Sequence, residues 1–134
     1  RGIEFNLICE RLPQINISEI DLSSLISNIL DNAVTAAEKT DAPRVILKIF
    51  VRGEYLNIIS ENTYSNIIKK RDEGKLTTFF TTKCNSNEHG FGTRIIGEIA
   101  QKYDGACVYE YENGIFKMNV MINFSMSRAI CEQI

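Results

Sequence analysis

Two asparagines four residues apart are the first candidates for chemistry in this sequence. Asn28 and Asn32 lie in the stretch NILDNAVTAAEK, residues 28–39, whose apolar positions predict a helix. Four residues turn an α-helix by about 400°, so the two amides project within ~40° of each other beside the apolar stripe, while Asp31 points away from that stripe. The pair indicates either a polar contact site or two amides that bond to loop backbone, and the helix pattern leaves both open.

The second candidate is the polar segment TTKCNSNEHGFGT, residues 81–93. Gly90 and Gly92 flank Phe91 just before a predicted helix, and a glycine turn that leads into a helix presents backbone N–H groups to a phosphate. Lys83 could add a point charge to the same anion. The spacing excludes the P-loop motif GxxxxGK[ST]. An ordinary flexible loop is the alternative, since a GxG pattern is weak evidence alone.

Two helices are predicted to position these segments. Apolar residues recur at helical spacing from Leu22 to Ala37, with Asp21 as the expected N-cap, and the first helix ends before Pro43. The second helix ends at Gly105. Its apolar face is formed by Ile95, Ile96, Ile99 and Ala100.

Five strands are predicted around these helices. The first spans 3–9, and a hairpin turning at Gly53 joins strands 44–51 and 55–60. A second hairpin turns at Asn113-Gly114, a strong type I′ turn signal. The order strand, helix, two strands, loop, helix, two strands predicts a two-layer α/β sandwich with helices on one face of a mixed sheet. The structure of the tail 125–134 is not indicated by the sequence.

The composition is that of a globular domain. Of 134 residues, 44% are hydrophobic and 24% charged, which fits one domain over 1–134. The net charge of −2 comes without a basic block, so no nucleic-acid partner is expected. No apolar run reaches the ~18–20 residues of a membrane span. The chain starts without Met or a signal-peptide pattern, so we expect a fragment of a longer protein. The four cysteines form no CxxC pair and are expected to be reduced thiols.

Taken together, the motifs NILDNA, IISEN, TTK and HGFGTRIIGEIAQKYDG resemble the ATP-binding catalytic domain of sensor histidine kinases. These kinases belong to the GHKL superfamily, and the resemblance covers about residues 20–124. The segments TTK, HGFG and IAQKYDG look most like the AgrC-type quorum-sensing kinases. The resemblance implies the Bergerat fold, a mixed sheet with helices on one face.

The resemblance also implies roles for the asparagines. Asn32 falls where the family supplies an amide oxygen to the Mg²⁺ that bridges the ATP phosphates. Asn28 falls where ATP-hydrolysing relatives place a glutamate base, and an amide cannot act as that base. Asn62 matches the aspartate that binds the adenine amino group, but residues 62–66 read NTYSN instead of DxGxG. This departure removes the acid and both glycines.

The remaining implied contacts lie in the segment TTKCNSNEHGFGT, residues 81–93. The resemblance assigns nucleotide contacts to Thr81, Thr82, Lys83, His89, Gly90, Phe91, Gly92 and Thr93. Lys83 is also implied in catalysis together with Asn28, and Thr93 stands where the family usually has Leu. Arg94 is expected to be a solvated helix side chain. His89, the only histidine, is a loop contact in this reading and not the phosphoacceptor.

The implied function is phosphoryl transfer from Mg-ATP to a histidine on an upstream dimerisation domain. The implied partners are that domain and a response regulator, in a homodimeric, membrane-anchored bacterial protein whose catalytic domain is cytoplasmic. Two alternatives stay open. One is a GHKL protein serine kinase of the anti-sigma type, and the other is a non-catalytic nucleotide sensor, which the altered residues 62–66 favour.

Overall fold

The computed structural model describes residues 2–65 and 91–125, and the element order confirms the predicted one. Seven elements are present in this part of the chain. They are β1 (Glu4–Cys9), α1 (Glu19–Ala37), β2 (Arg44–Arg52), β3 (Tyr55–Thr63), α2 (Phe91–Lys102), β4 (Ala106–Glu112) and β5 (Ile115–Asn123). None of the described helices is both long and apolar enough to cross a membrane.

The strands form one mixed sheet in the order β1-β2-β3-β5-β4. β1 runs parallel to β2, and the other neighbouring pairs are antiparallel. Both predicted hairpins are present. The β2–β3 turn has Gly53 at φ 65°, and the β4–β5 turn has Asn113 at φ 50° and Gly114 at φ 80°. Positive φ at both central residues is the signature of the type I′ turn that Asn-Gly favours.

Both helices pack on the same face of the sheet, as predicted. α1 lies over β2 and β3, α2 lies over β4 and β5, and the two helices contact each other. The buried side of α1 repeats every four residues, which is the stripe of an amphipathic helix. It comprises Leu25, Ile29, Ala33 and Ala37. Leu25 and Ile29 share one core cluster with strand residues that face the helices, including Leu56, Ile58, Val120 and Ile122. Ala33 and Ala37 pack in a second cluster with Val45 of β2.

The first helix begins earlier than predicted, so Asp21 is not its N-cap. Ser18 is the N-cap, and its hydroxyl accepts a hydrogen bond from the backbone N–H of Asp21 at 3.1 Å. The Asp21 carboxylate instead accepts from Lys102 Nζ at 2.8 Å and from the Tyr103 hydroxyl at 2.5 Å. The sequence pattern could not reveal this role, because both partners come from the end of α2. They join the N-terminal end of α1 to the C-terminal end of α2.

The second helix ends in a Schellman motif. Asp104 takes the left-handed conformation at φ 53°, and the Gly105 N–H donates to the Ala100 carbonyl at 2.8 Å. The sequence predicts that the helix ends at Gly105, and the residue with positive φ at this end is Asp104. Gly105 is needed for space instead, since a Cβ there would lie 1.8 Å from the Met121 carbonyl oxygen.

Candidate functional site

A cavity of about 430 Å³ lies between the C-terminal half of α1 and the end of the sheet. This volume is in the range of small-molecule sites in proteins. The helix side is lined by Asn28, Asp31, Asn32, Ala33, Thr35, Ala36 and, just past the helix end, Lys39. The sheet side is lined by Ser60, Asn62, Tyr64, Phe116 and Met118.

Asn28 and Asn32 line this cavity side by side, as their spacing predicts. The Asn28 Nδ2 donates to the Ser24 carbonyl of its own helix at 2.7 Å, so Oδ1 is the amide atom that can accept from or coordinate a ligand. That bond fixes the amide on the helix and does not hold loop backbone. Asp31 is exposed and points away from the apolar stripe, but it still reaches the rim of the cavity.

Asn62 supplies the polar group on the sheet side. It is the penultimate residue of β3, is only 3% exposed, and lies on the face that the helices cover. Its Nδ2 donates to the Thr63 carbonyl at 2.8 Å. The amide oxygen is therefore the atom that Asn62 can offer to a donor in the cavity. Asn62 is 30 positions from Asn32, and the fold brings both to one site.

α2 packs beside α1 on the same face of the sheet. Its C-terminal end is joined to the start of α1 through Asp21, so the two helices run in opposite directions and α2 begins beside the C-terminal half of α1. A helix N-terminus carries backbone N–H groups and a partial positive charge that favour phosphate. The helix starts at Phe91, so Phe91 and Gly92 lie inside it and not before it as predicted. The first helical turn tolerates glycine, and helix ends are hard to place from sequence.

The predicted residues Thr81, Thr82, Lys83, His89 and Gly90 lie outside the described residues. Thr93 is in the first turn of α2. Arg94 is 51% exposed and pairs with Glu98 one turn along at 3.8 Å, which confirms a solvated helix side chain. The nucleotide and metal roles of these residues, and of Asn28, Asn32 and Asn62, stay predictions.

The sequence pattern does not predict the aromatic side of the cavity. Phe116 and Met118 are found only through the strand register, which pairs Asn62 with Phe116 and Ser60 with Met118. Tyr64 follows β3, and the one sequence signal for it is its place within the altered motif NTYSN. Burial, and then the neighbouring Tyr111, raise the pKa of Tyr64, so its phenol stays neutral at physiological pH.

Comparison with known proteins bears on this site. A family model described as the GHKL domain matches residues 17–123. No curated protein sequence matches the chain. Many solved structures share its fold.

The histidine kinase domain of the blue-light activated histidine kinase from Erythrobacter litoralis aligns with 97% of this chain at 18% identity and a TM-score of 0.69. A nucleotide-free catalytic domain of the histidine kinase ThkA aligns with 91% of this chain at 17% identity and a TM-score of 0.66. Full-length ShkA in complex with AMPPNP aligns with 91% of this chain at 20% identity and a TM-score of 0.62.

The chain covers 56% of the first of these structures, 80% of the second and 26% of the third. At these identities the likeness shows the fold. That fold is the predicted two-layer sandwich of histidine kinase catalytic domains.

Proposed function

Because this chain belongs to the GHKL domain family, we propose that it binds Mg-ATP and passes the γ-phosphate to a histidine on the dimerisation domain of a longer sensor kinase. GHKL domains bind ATP, and the fold is that of histidine kinase catalytic domains. The acceptor histidine, the Mg²⁺ ion and the signalling pathway are part of the proposal.

One observation carries the proposal. The amides of Asn28, Asn32 and Asn62, which come from two elements of the fold, line a single cavity. A ligand that combines a hydrogen-bonding base with a polyanionic tail matches this arrangement. The base end lies at Asn62 and the phosphate end at Asn28, Asn32 and the start of α2.

The polar groups at the phosphate end suit Mg²⁺. The ion prefers oxygen ligands, keeps several waters and takes few protein groups, and Asn32 can give it one amide oxygen. When bound, Mg²⁺ would neutralise charge on the phosphates during transfer. Asn28 lies one turn away and cannot take a proton from water, so the site holds ATP for an external nucleophile.

The other residues proposed to contact the nucleotide come from the segment TTKCNSNEHGFGT, residues 81–93. We assign Lys83 to phosphate binding and catalysis beside Asn28, with further nucleotide contacts from Thr81, Thr82, His89, Gly90, Phe91, Gly92 and Thr93. Phosphoryl transfer of this type depends on positioning and electrostatics, since the protein supplies little covalent chemistry.

The proposed setting follows from the family. The partners are the dimerisation domain that carries the histidine and a response regulator. The parent protein is a homodimeric, membrane-anchored bacterial kinase whose catalytic domain is cytoplasmic. The motifs TTK and HGFG favour the AgrC-type quorum-sensing kinases as the subclass.

The test is calorimetric titration of ATP into this chain with and without Mg²⁺. We expect Mg²⁺ to strengthen binding, and Asn32→Ala to lose that gain. Asn6→Ala is the matched control, because Asn6 lies on the exposed strand β1, away from the cavity. If folded wild-type protein shows no ATP binding in excess Mg²⁺, the proposal is wrong.

A non-catalytic nucleotide sensor is the second candidate, because the motif at residues 62–66 has lost its acid and both glycines. Incubation with γ-labelled ATP and the dimerisation domain of the parent protein distinguishes a histidine kinase from a serine kinase and from a sensor. Acid-labile label on that domain supports histidine transfer. Label that survives acid on a serine of a protein substrate would favour the serine-kinase alternative, and binding without any transfer would favour the sensor.

A further inference from the structure

Tyr64 extends the inner face of the sheet into the cavity. Residues of β3 alternate between the two faces, and Tyr64 continues the alternation of Ser60 and Asn62 on the side that the helices cover. Its backbone N–H donates to the Gly114 carbonyl at 2.8 Å, beyond the last paired residues of β3 and β5. The β4–β5 turn therefore fixes the backbone of Tyr64, and its side chain lines the cavity.

Other aromatic rings hold the Tyr64 ring in place. Its centroid lies 5.2 Å from that of Tyr111, edge to face at 71°, and 5.8 Å from that of Phe116 at 35°. Phe116 in turn lies 5.5 Å from Tyr109. Ring pairs at these distances add stability beyond the area they bury. Tyr64 is thus a member of a packed aromatic cluster, and its side chain lines the cavity.

The cavity lining includes two small side chains on the helix side and two aromatic rings on the sheet side. Ala33 and Ala36 line the cavity on α1, while Tyr64 and Phe116 line the sheet side. The cavity of about 430 Å³ that these residues line has room for a flat group beside the rings. On the sheet side of the cavity, Asn62 offers its amide Oδ1 as a hydrogen-bond acceptor.

We propose that Tyr64 stacks on the base of the bound nucleotide and is the residue that gives this site its affinity for the base. This inference rests on the proposed function. The Asn62 oxygen then accepts a hydrogen bond from an exocyclic amino group, which adenine has at position 6 and guanine replaces by an acceptor oxygen. In this chain, ring stacking takes over from the missing glycines and acid, and the amide oxygen selects ATP over GTP.

The test compares ATP with inorganic tripolyphosphate, which carries the anionic tail without the base. Stacking of a base on an aromatic ring contributes ~1–3 kcal/mol, so Tyr64→Ala should weaken ATP binding by about 5-fold to 150-fold. Binding of tripolyphosphate should be unchanged, and Tyr64→Phe should keep ATP binding close to wild type. Tyr55→Ala, at the opposite end of β3 and partly exposed, is the matched control.

Two further measurements separate stacking from a structural role. Tyr64→Leu keeps an apolar side chain without a ring, so it is the second variant if Tyr64→Ala does not fold. The chain has five tyrosines and no tryptophan, so its tyrosine fluorescence is not masked, and ATP should quench a component that Tyr64→Phe lacks.

Each outcome decides the inference. If wild type binds ATP and both Tyr64→Ala and Tyr64→Leu bind it equally well, Tyr64 does not stack on the base and the proposed function stands. If ATP and tripolyphosphate weaken together, the ring only supports the fold and the inference is wrong. If wild type binds no ATP, the proposed function fails and takes the inference with it.

Discussion

At the scale of single residues, the amide nitrogen and the amide oxygen of Asn28 and of Asn62 have different roles. Asn28 gives its Nδ2 to the Ser24 carbonyl and Asn62 gives its Nδ2 to the Thr63 carbonyl. In both, the backbone bond fixes the rotation of the amide and leaves the oxygen for the cavity. A carboxylate could not make this bond, because an ionised carboxylate has no donor. The fixed acceptor is a role that asparagine can fill at position 28 although it is a weak helix former.

The first prediction concerns the missing base at position 28. Asn28→Glu places a carboxylate beside the proposed phosphate site, and a general base contributes typically 10²–10⁴-fold to a reaction. We expect release of phosphate from Mg-ATP to rise by about 10-fold or more in this variant, since the new base can activate water. Asn28→Gln has the same length without the basicity and is the control. Equal hydrolysis by the two variants would show that position 28 does not face the attacking water.

At the scale of elements, local signals predict the strands, the turns and the face of the sheet on which the helices pack, while particular side-chain contacts between elements could not be predicted. Asn113-Gly114 carries its turn in its own residue types, so the second hairpin was evident. Asp21 looked like a cap because it precedes the apolar stripe, and only the packing of α2 shows that it binds Lys102 and Tyr103. The aromatic wall of the cavity was missed for the same reason, because the partner of Asn62 is set by strand register.

The contacts of Asp21 with Lys102 and Tyr103, which join α1 to α2, predict a pH dependence of stability. Hydrogen bonds from Lys102 and then from Tyr103 hold the pKa of Asp21 below its usual 3.8. A carboxyl group with a lower pKa in the folded state stabilises the fold above its unfolded pKa and loses this contribution as the pH falls through its folded pKa.

Wild type should therefore lose more stability than Asp21→Asn as the pH falls from about 5 to about 2. The Lys102 side chain is 60% exposed, so the difference should be modest, about 0.5–1 kcal/mol. Urea unfolding at a series of pH values measures it, and parallel curves for the two proteins would contradict the prediction.

The close approach of Gly105 to β5 predicts a second effect on stability. A Cβ at this position would lie 1.8 Å from the Met121 carbonyl oxygen and 2.9 Å from the Ile122 Cα, so the backbone of β5 or of the turn must move. Gly105→Ala should lower the free energy of unfolding by about 1–3 kcal/mol, as in other overpacked sites. Gly2→Ala is the matched control, because nothing lies within 4 Å of its Cβ position. Equal denaturation midpoints for the two variants would show that the turn adapts without cost.

At the scale of the whole molecule, the cavity is bounded by both layers of the sandwich. α1 provides one wall, and β3 and β5 provide the other. A ligand held by both walls contacts the folded chain and has no comparable site in the unfolded one. Binding must therefore stabilise the whole fold by mass action, by about 2.7 kcal/mol at a ligand concentration 100 times Kd.

This linkage gives the last prediction. One kcal/mol shifts the Tm of a domain of this size by roughly 2–8 °C, so Mg-ATP at 100 times Kd should raise the Tm by about 5–20 °C. The shift should shrink without Mg²⁺ and in Asn32→Ala, and stay at the wild-type value in Asn6→Ala. Tripolyphosphate should give a smaller shift that is the same in wild type and Tyr64→Ala, because it reaches only the phosphate end. A Tm that responds equally to ATP and tripolyphosphate would mean that the sheet side of the cavity, with Asn62 and Tyr64, takes no part in binding.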